Sequence, residues 1–216
     1  MSFQNIDFIW VIIRLIVVLP SLVIHEVAHG FASMLLGDDT AKHDGRISLN
    51  PLKHIDPIGV LCMAVVGFGW AKPVRFNIGK LKHGKGDVAI TAFAGPLSNI
   101  ALAFFFAIIY CSLYGAFSYD GAAGIVLTIV NQFVITNIAL AVFNMLPIPP
   151  LDGSKVFLSL LPDKLYYKML YIGNAGMIVL LALIFFGVVD KILTPPVIAI
   201  YEAFYAIGDI ICAPFS

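Results

Sequence analysis

His25-Glu26-Val27-Ala28-His29 sets two imidazoles four residues apart, with a carboxylate beside the first. On a helix, positions i and i+4 share one face. Two imidazoles so placed can hold a single zinc ion from successive turns. Glu26 then lies next to the metal, where it can take a proton from water as general base. The surrounding run is apolar. An ionisable group costs about 2.5–3.5 kcal/mol at the centre of an apolar spanning helix. Three such groups within five residues call for a compensating partner, and a metal supplies one. The plainer reading is that the two histidines and the glutamate line a polar crevice or a proton path.

A catalytic zinc takes three protein ligands and leaves a position open. The third ligand must come from elsewhere, and Asp152 is the candidate. It stands in Asn144-Met145-Leu146-Pro147-Ile148-Pro149-Pro150-Leu151-Asp152-Gly153. Prolines lack an N–H and clash with the preceding turn, so this segment should end a helix and continue as an extended stretch carrying a carboxylate. The plainer reading is a helix end followed by a surface Asp-Gly turn.

The elements that would hold these groups are apolar and long. Of 216 residues, 60% are hydrophobic and 12% charged, and the mean hydropathy is +0.96. A soluble domain carries about 25% charged residues. This chain therefore lacks the polar surface to cover a water-soluble fold, and the lipid bilayer is the expected solvent. Net charge is zero, which gives no reason to expect a nucleic-acid partner. Cys62, Cys111 and Cys212 lie far apart and read as buried thiols.

A membrane-crossing helix needs about 20 mostly apolar residues. Four runs qualify: Phe8 to Leu36, Val88 to Leu113, Ile125 to Leu146, and Tyr171 to Val189. A fifth candidate, Val197 to Ala213, carries Glu202 and Asp209 and could instead lie in the interface. Ile58 to Ala71 is too short to span and rich in Gly and Val, which suits a re-entrant β-hairpin. The expected fold is thus an all-α polytopic membrane protein with a short re-entrant hairpin, built as one domain over 1–216. Its catalytic core covers about 8–155 and its C-terminal helices about 170–213. The N-terminus does not read as a cleaved signal peptide.

Eight lysines and arginines lie between the first and second runs, and three follow the third; the loop Tyr114 to Ala123 has none. Positive loops face the cytoplasm. The N-terminus is then outside, and the ends of the first and third spans lie on one side. That brings the HExxH segment and Asp152 together near the cytoplasmic face.

HEVAH followed by N-x-x-P-x-x-x-L-D-G, both in apolar segments, resembles the site-2 protease family of intramembrane zinc metalloproteases. Phe68-Gly69-Trp70-Ala71-Lys72-Pro73-Val74 is similar to that family's G-W-A-x-P-V stretch. Ala94-Gly95-Pro96-Leu97-Ser98-Asn99 is similar to its A-G-P-x-x-N stretch. The resemblance runs from about His25 to Gly153. It implies one zinc per chain on His25, His29 and Asp152, with Glu26 catalytic and the transmembrane segment of another protein as substrate. It also implies that Asn144 lies near the site, where an amide could stabilise an oxyanion; the alternative is that Asn144 bonds backbone freed by the prolines. Asn99 reads first as a polar link between helices and second as a partner of the site.

His54 could approach the site as a further metal contact or hydrogen-bond partner, or belong to a polar turn leading into the hairpin. Arg14 is expected to reach the outer interface, the alternative being that it marks a polar path. The short outer loop leaves no room for a PDZ-like insert, and no nucleotide-binding regulatory domain follows the last span, so the chain reads as a minimal catalytic core of a prokaryotic plasma membrane. Two other classes remain from the residues alone. One is a metal-binding transporter or scaffold, against which stands the lack of repeated halves. The other is a zinc enzyme acting on a lipid or small amide.

Overall fold

The computed structural model describes residues 8–57, 59, 71–114, 121–170 and 173–212. We number its helices α1 Phe8–Leu35, α2 Thr40–His43, α3 Lys85–Tyr114, α4 Gly121–Asn144, α5 Asp152–Ser159, α6 Asp163–Leu170, α7 Gly173–Phe185 and α8 Val188–Cys212. Among the described residues there is no strand, and four helices are long and apolar enough to cross a membrane: α1, α3, α4 and α8.

The long helices form because their apolar runs carry few breakers. α1 passes through Arg14 and Pro20 without interruption over 28 residues. Pro20 removes one N–H from the ladder, and neighbouring helices can satisfy the carbonyl so freed. Helix α3 lies at the centre, packed against α1, α4, α5 and α8. Its contact stripe is Thr91, Gly95, Asn99, Ala103 and Ala107, all buried and spaced by four. Small residues at this period let helix backbones approach closely, which is how helices associate where lipid offers no hydrophobic drive.

Polarity is arranged inward. Ser21, His25, His29, Thr91, Asn99 and Asn137 are buried on the long helices, while Ile12, Ile16, Ile90, Phe105 and Ile210 are exposed. An apolar exterior around a polar centre suits a lipid solvent.

Two expectations need amendment, and a third lies almost wholly outside the described residues. The run Tyr171 to Val189 is not one span. Gly187 adopts φ +65°, a left-handed backbone that favours glycine, and the helix before it, α7, has 13 residues. That is about 20 Å of helix, short of the roughly 30 Å hydrocarbon core. The segment treated as doubtful is instead the long one: α8 runs 25 residues from Val188, through Pro195 and Pro196. The stretch 145–151 is not extended either. It is a series of turns, with Leu146 N–H donating to Phe143 O and Leu151 N–H to Ile148 O, and it leads directly into α5. Finally, the re-entrant hairpin expected over 58–71 falls almost wholly outside the described residues. At its edges, Ile55 and Ala71 form an antiparallel bridge, and Lys72 N–H donates to His54 O at 2.7 Å.

Candidate metal centre

His25 and His29 sit on successive turns of α1, 3% and 6% exposed, and Asp152, 8% exposed, opens α5. The turns at 145–151 fold α5 back so that its first residue meets α1. Gly153 makes that fold possible: a Cβ there would lie 2.6 Å from Leu146 O and closer still to Met145 O. The glycine after Asp152 thus serves close packing rather than a surface turn.

The three side chains converge. Asp152 Oδ2 is 3.1 Å from His25 Nε2 and 3.0 Å from His29 Nε2, and the two Nε2 atoms are 3.0 Å apart. Among the described residues this is the one group of three potential metal ligands, its ligand atoms all within 4.8 Å of one another. The other nitrogen of each ring is also engaged. His25 Nδ1 lies 2.6 Å from Asn99 Oδ1, and His29 Nδ1 lies 2.7 Å from the Thr91 carbonyl. A carbonyl oxygen only accepts, so both Nδ1 atoms carry protons, and each ring in its neutral form turns an Nε2 lone pair toward Asp152 Oδ2. Two lone pairs and a carboxylate oxygen facing one point repel one another unless a proton or a metal cation lies among them. Nitrogen, nitrogen and oxygen in this arrangement are a zinc donor set with room for an open position, each imidazole held through its other nitrogen as metal-bound histidines are.

Gly95 is the floor of the site. A Cβ there would lie 2.6 Å from His25 Cε1 and nearer still to His29 Nε2, closer than real Cβ atoms come. Pro96 follows it, withdrawing the N–H that would pair with the Ala92 carbonyl, one residue from the Thr91 carbonyl that holds His29.

Glu26 is held by a backbone group of another segment. Its Oε2 accepts the Val74 backbone N–H at 2.7 Å, which ties the extended segment 72–77 across α1. Lys155, one turn into α5, donates to Asp152 Oδ1 at 3.1 Å and lies 5.5 Å from the Phe76 ring centroid. Oδ1 is thereby occupied, leaving Oδ2 toward the histidines.

Of the remaining residues singled out in the sequence, Asn99 reaches His25 directly while also linking α3 to α4, where its Nδ2 donates to Asn137 Oδ1 at 2.7 Å. Asn144, the last residue of α4, donates to Leu140 O at 2.9 Å. His54 is buried in the turn after Pro51–Lys53 and its Nε2 pairs with Ser48 O at 2.8 Å. Arg14 is exposed on α1. Sequence reasoning missed Thr91, Asn137 and Lys155, and singled out Gly95 only as part of the A-G-P-x-x-N resemblance, without a role. Lys155 had a local signal, being three residues after Asp152 in a helix start; Thr91 and Asn137 act through contacts between helices.

Comparison with known proteins agrees with this geometry. The chain is 39% identical over 185 residues to "Putative zinc metalloprotease YwhC" of Bacillus subtilis, covering 81% of this chain and 79% of that protein. It is 33% identical over 159 residues to "Putative zinc metalloprotease MJ0611" of Methanocaldococcus jannaschii, covering 72% and 74%. It is 30% identical over 140 residues to "Putative zinc metalloprotease Rip2" of Mycolicibacterium smegmatis, covering 62% and 52%. No family model matches, and no solved structure matches.

Proposed function

Since the chain belongs to the zinc metalloprotease family of these relatives, which is site-2 protease-like, we propose that it is an intramembrane endopeptidase cutting the transmembrane segments of other membrane proteins. The observation that carries this reading is the convergence of His25, His29 and Asp152 inside a bundle of spanning helices. Zinc bound there supplies Lewis acidity, bringing the pKa of water toward about 7 and polarising a carbonyl.

The chain's own residues do the rest. Glu26 takes the proton of the attacking water and returns it to the leaving amine. Its carboxylate is fixed by the Val74 N–H, so it needs little reorganisation between the two transfers. Asn144 spends one amide proton on Leu140 O; the same nitrogen carries a second, available to an oxyanion. Such a donor is worth about 2.7–4 kcal/mol in a dry site. The bundle excludes bulk water around the peptide bond, and a substrate helix must unwind locally to expose that bond. Segment 72–77, outside any helix or strand, offers backbone against which an unwound stretch can lie.

The lysine and arginine distribution supports an outside N-terminus and cleavage near the cytoplasmic face, in a prokaryotic plasma membrane. A transporter or scaffold would have no need of Glu26 beside the metal.

The test is detergent-purified protein with zinc counted per chain and cleavage of a transmembrane test substrate followed in liposomes. The wild type should hold about one zinc and cleave. Glu26→Gln should keep its zinc and lose cleavage; Asp152→Ala should lose both. Cleavage surviving in Glu26→Gln would overturn the mechanism, and zinc unchanged in Asp152→Ala would break the three-ligand site.

A further inference from the structure

A chain of hydrogen bonds runs from His25 away from the metal, through side chains that are all fully buried. His25 Nδ1 meets Asn99 Oδ1 at 2.6 Å. Asn99 Nδ2 meets Asn137 Oδ1 at 2.7 Å and the Ser21 carbonyl at 3.3 Å. Asn137 Nδ2 meets Ser21 Oγ at 2.9 Å and the Phe133 carbonyl at 2.8 Å. Ser21 Oγ meets the Val17 carbonyl at 2.7 Å. Ser21, Asn99 and Asn137 are each 0% exposed, and they come from α1, α3 and α4.

The direction of this chain is fixed at its far end. Main-chain carbonyls accept and never donate. Val17 O therefore takes the Ser21 hydroxyl proton, leaving Ser21 Oγ an acceptor toward Asn137. Phe133 O likewise requires the NH2 of Asn137, so the Asn137 amide cannot turn over without setting two oxygens 2.8 Å apart. Asn137 Oδ1 then faces Asn99 and demands its NH2. A turned-over Asn99 would oppose oxygen to oxygen at both Asn137 and Ser21. Asn99 must consequently present Oδ1 to His25, and His25 must carry its proton on Nδ1. That leaves the Nε2 lone pair for the metal. The opposite tautomer would aim an N–H at Asp152 and the metal position.

We propose that Asn137 is a positioning residue of the metal centre: acting through Asn99, it sets the tautomer of His25 that can bind zinc. This rests on reading His25, His29 and Asp152 as a zinc site. Asn137 is hydrogen-bonded to Asn99, Ser21 and the Phe133 carbonyl rather than to a ligand; it orients the group that orients the ligand. His29 needs no such device, since its Nδ1 partner is the Thr91 carbonyl itself.

The experiment measures zinc affinity of the full chain in detergent by chelator competition, in a double-mutant cycle. Asn137→Ala removes the shorter of the two contacts that hold the Asn99 NH2, leaving only the 3.3 Å contact to the Ser21 carbonyl, and zinc affinity should fall about 10–100-fold. Asn99→Asp replaces the amide by a carboxylate, which accepts on both oxygens and offers His25 an acceptor either way round. Its second oxygen faces Asn137 Oδ1, so in that background Asn137→Ala should not lower affinity, a coupling that a cycle reads directly. An equal loss in both backgrounds would show a merely structural role and overturn the proposal, as would wild-type affinity in the single Asn137→Ala variant. Should Asn137→Ala fail to fold, the near-isosteric Asn137→Leu removes the same acceptor; a fall in affinity that disappears in the Asn99→Asp background supports the proposal, and an unchanged affinity overturns it. A wild type that binds no zinc would instead sink the metal reading beneath it.

Discussion

The end of the molecule around His25 and the end around α7 and α8 are held together by different forces. At the first, α1, α3 and α4 meet through directional polar contacts: Asn99 and Asn137 bond across three helices, and Thr91 fixes His29. At the second, Ala103, Ala107, Val134 and Ile138 pack against Val197, Ile200 and Phe204 of α8, and Leu180 of α7 packs with Leu146, Leu151 and Val189. Polar contact there is sparse: Tyr201 and Tyr205 both donate to Asn131 Oδ1, at 3.1 and 2.8 Å. Directional bonds fix atoms to within tenths of an ångström, which metal ligands require. Dispersion contacts are many and individually weak, so that end can adjust without losing function.

One substitution tried at both ends exposes the contrast. Gly95→Ala should give the largest effect. Its Cβ meets His25 and His29, and each ring is pinned through its Nδ1, so neither can yield cheaply. Overpacking of about 1–3 kcal/mol would be relieved by displacing an imidazole, and zinc affinity should drop about 10–100-fold in chelator competition. Gly208→Ala is the counterpart. Its Cβ meets Cys111 Sγ at 2.6 Å, but a thiol can rotate about χ1. Thermal unfolding should show a loss toward the lower end of about 1–3 kcal/mol, with zinc affinity unchanged. Equal zinc loss in both variants would erase the distinction between the two ends.

Smaller changes sharpen it. Lys155→Met should lower zinc affinity by less than about tenfold, because the Lys155 side chain is one-third exposed and such pairs contribute about 0–1 kcal/mol. A larger loss would make Lys155 essential to the orientation of Asp152. Tyr205→Phe should be smallest: one of two donors to Asn131 is removed, and polar contacts between spanning helices average about 0.6 kcal/mol. Its readout is thermal stability, with zinc content and cleavage unaffected.

Much of the active end was legible in the residues. HEVAH at helical spacing inside an apolar run named His25, Glu26 and His29, and the proline-rich segment before Asp152 named the third ligand. The lysine and arginine pattern put the two segments at the same end, and the structure joins them at about 3 Å. Asn99 was weighed as a helix link and as a partner of the site, and its amide does both, one atom on His25 and the other on Asn137. The C-terminal third was harder to read. Hydropathy saw one span where Gly187 breaks the helix, and it doubted the segment that α8 carries because Glu202 and Asp209 lie along it.

The sequence by itself determined the chemistry of the ligands, three of the four long apolar helices and the segments that carry the motifs, because residue type and period are local properties. Only the tertiary structure set Thr91 and Gly95 against the histidines and Asn137 behind Asn99. Each of them acts through the register of one helix against another. That register is set by the small residues of α3 and by buried hydrogen bonds whose partners lie 38–116 positions apart, a separation that no local pattern records.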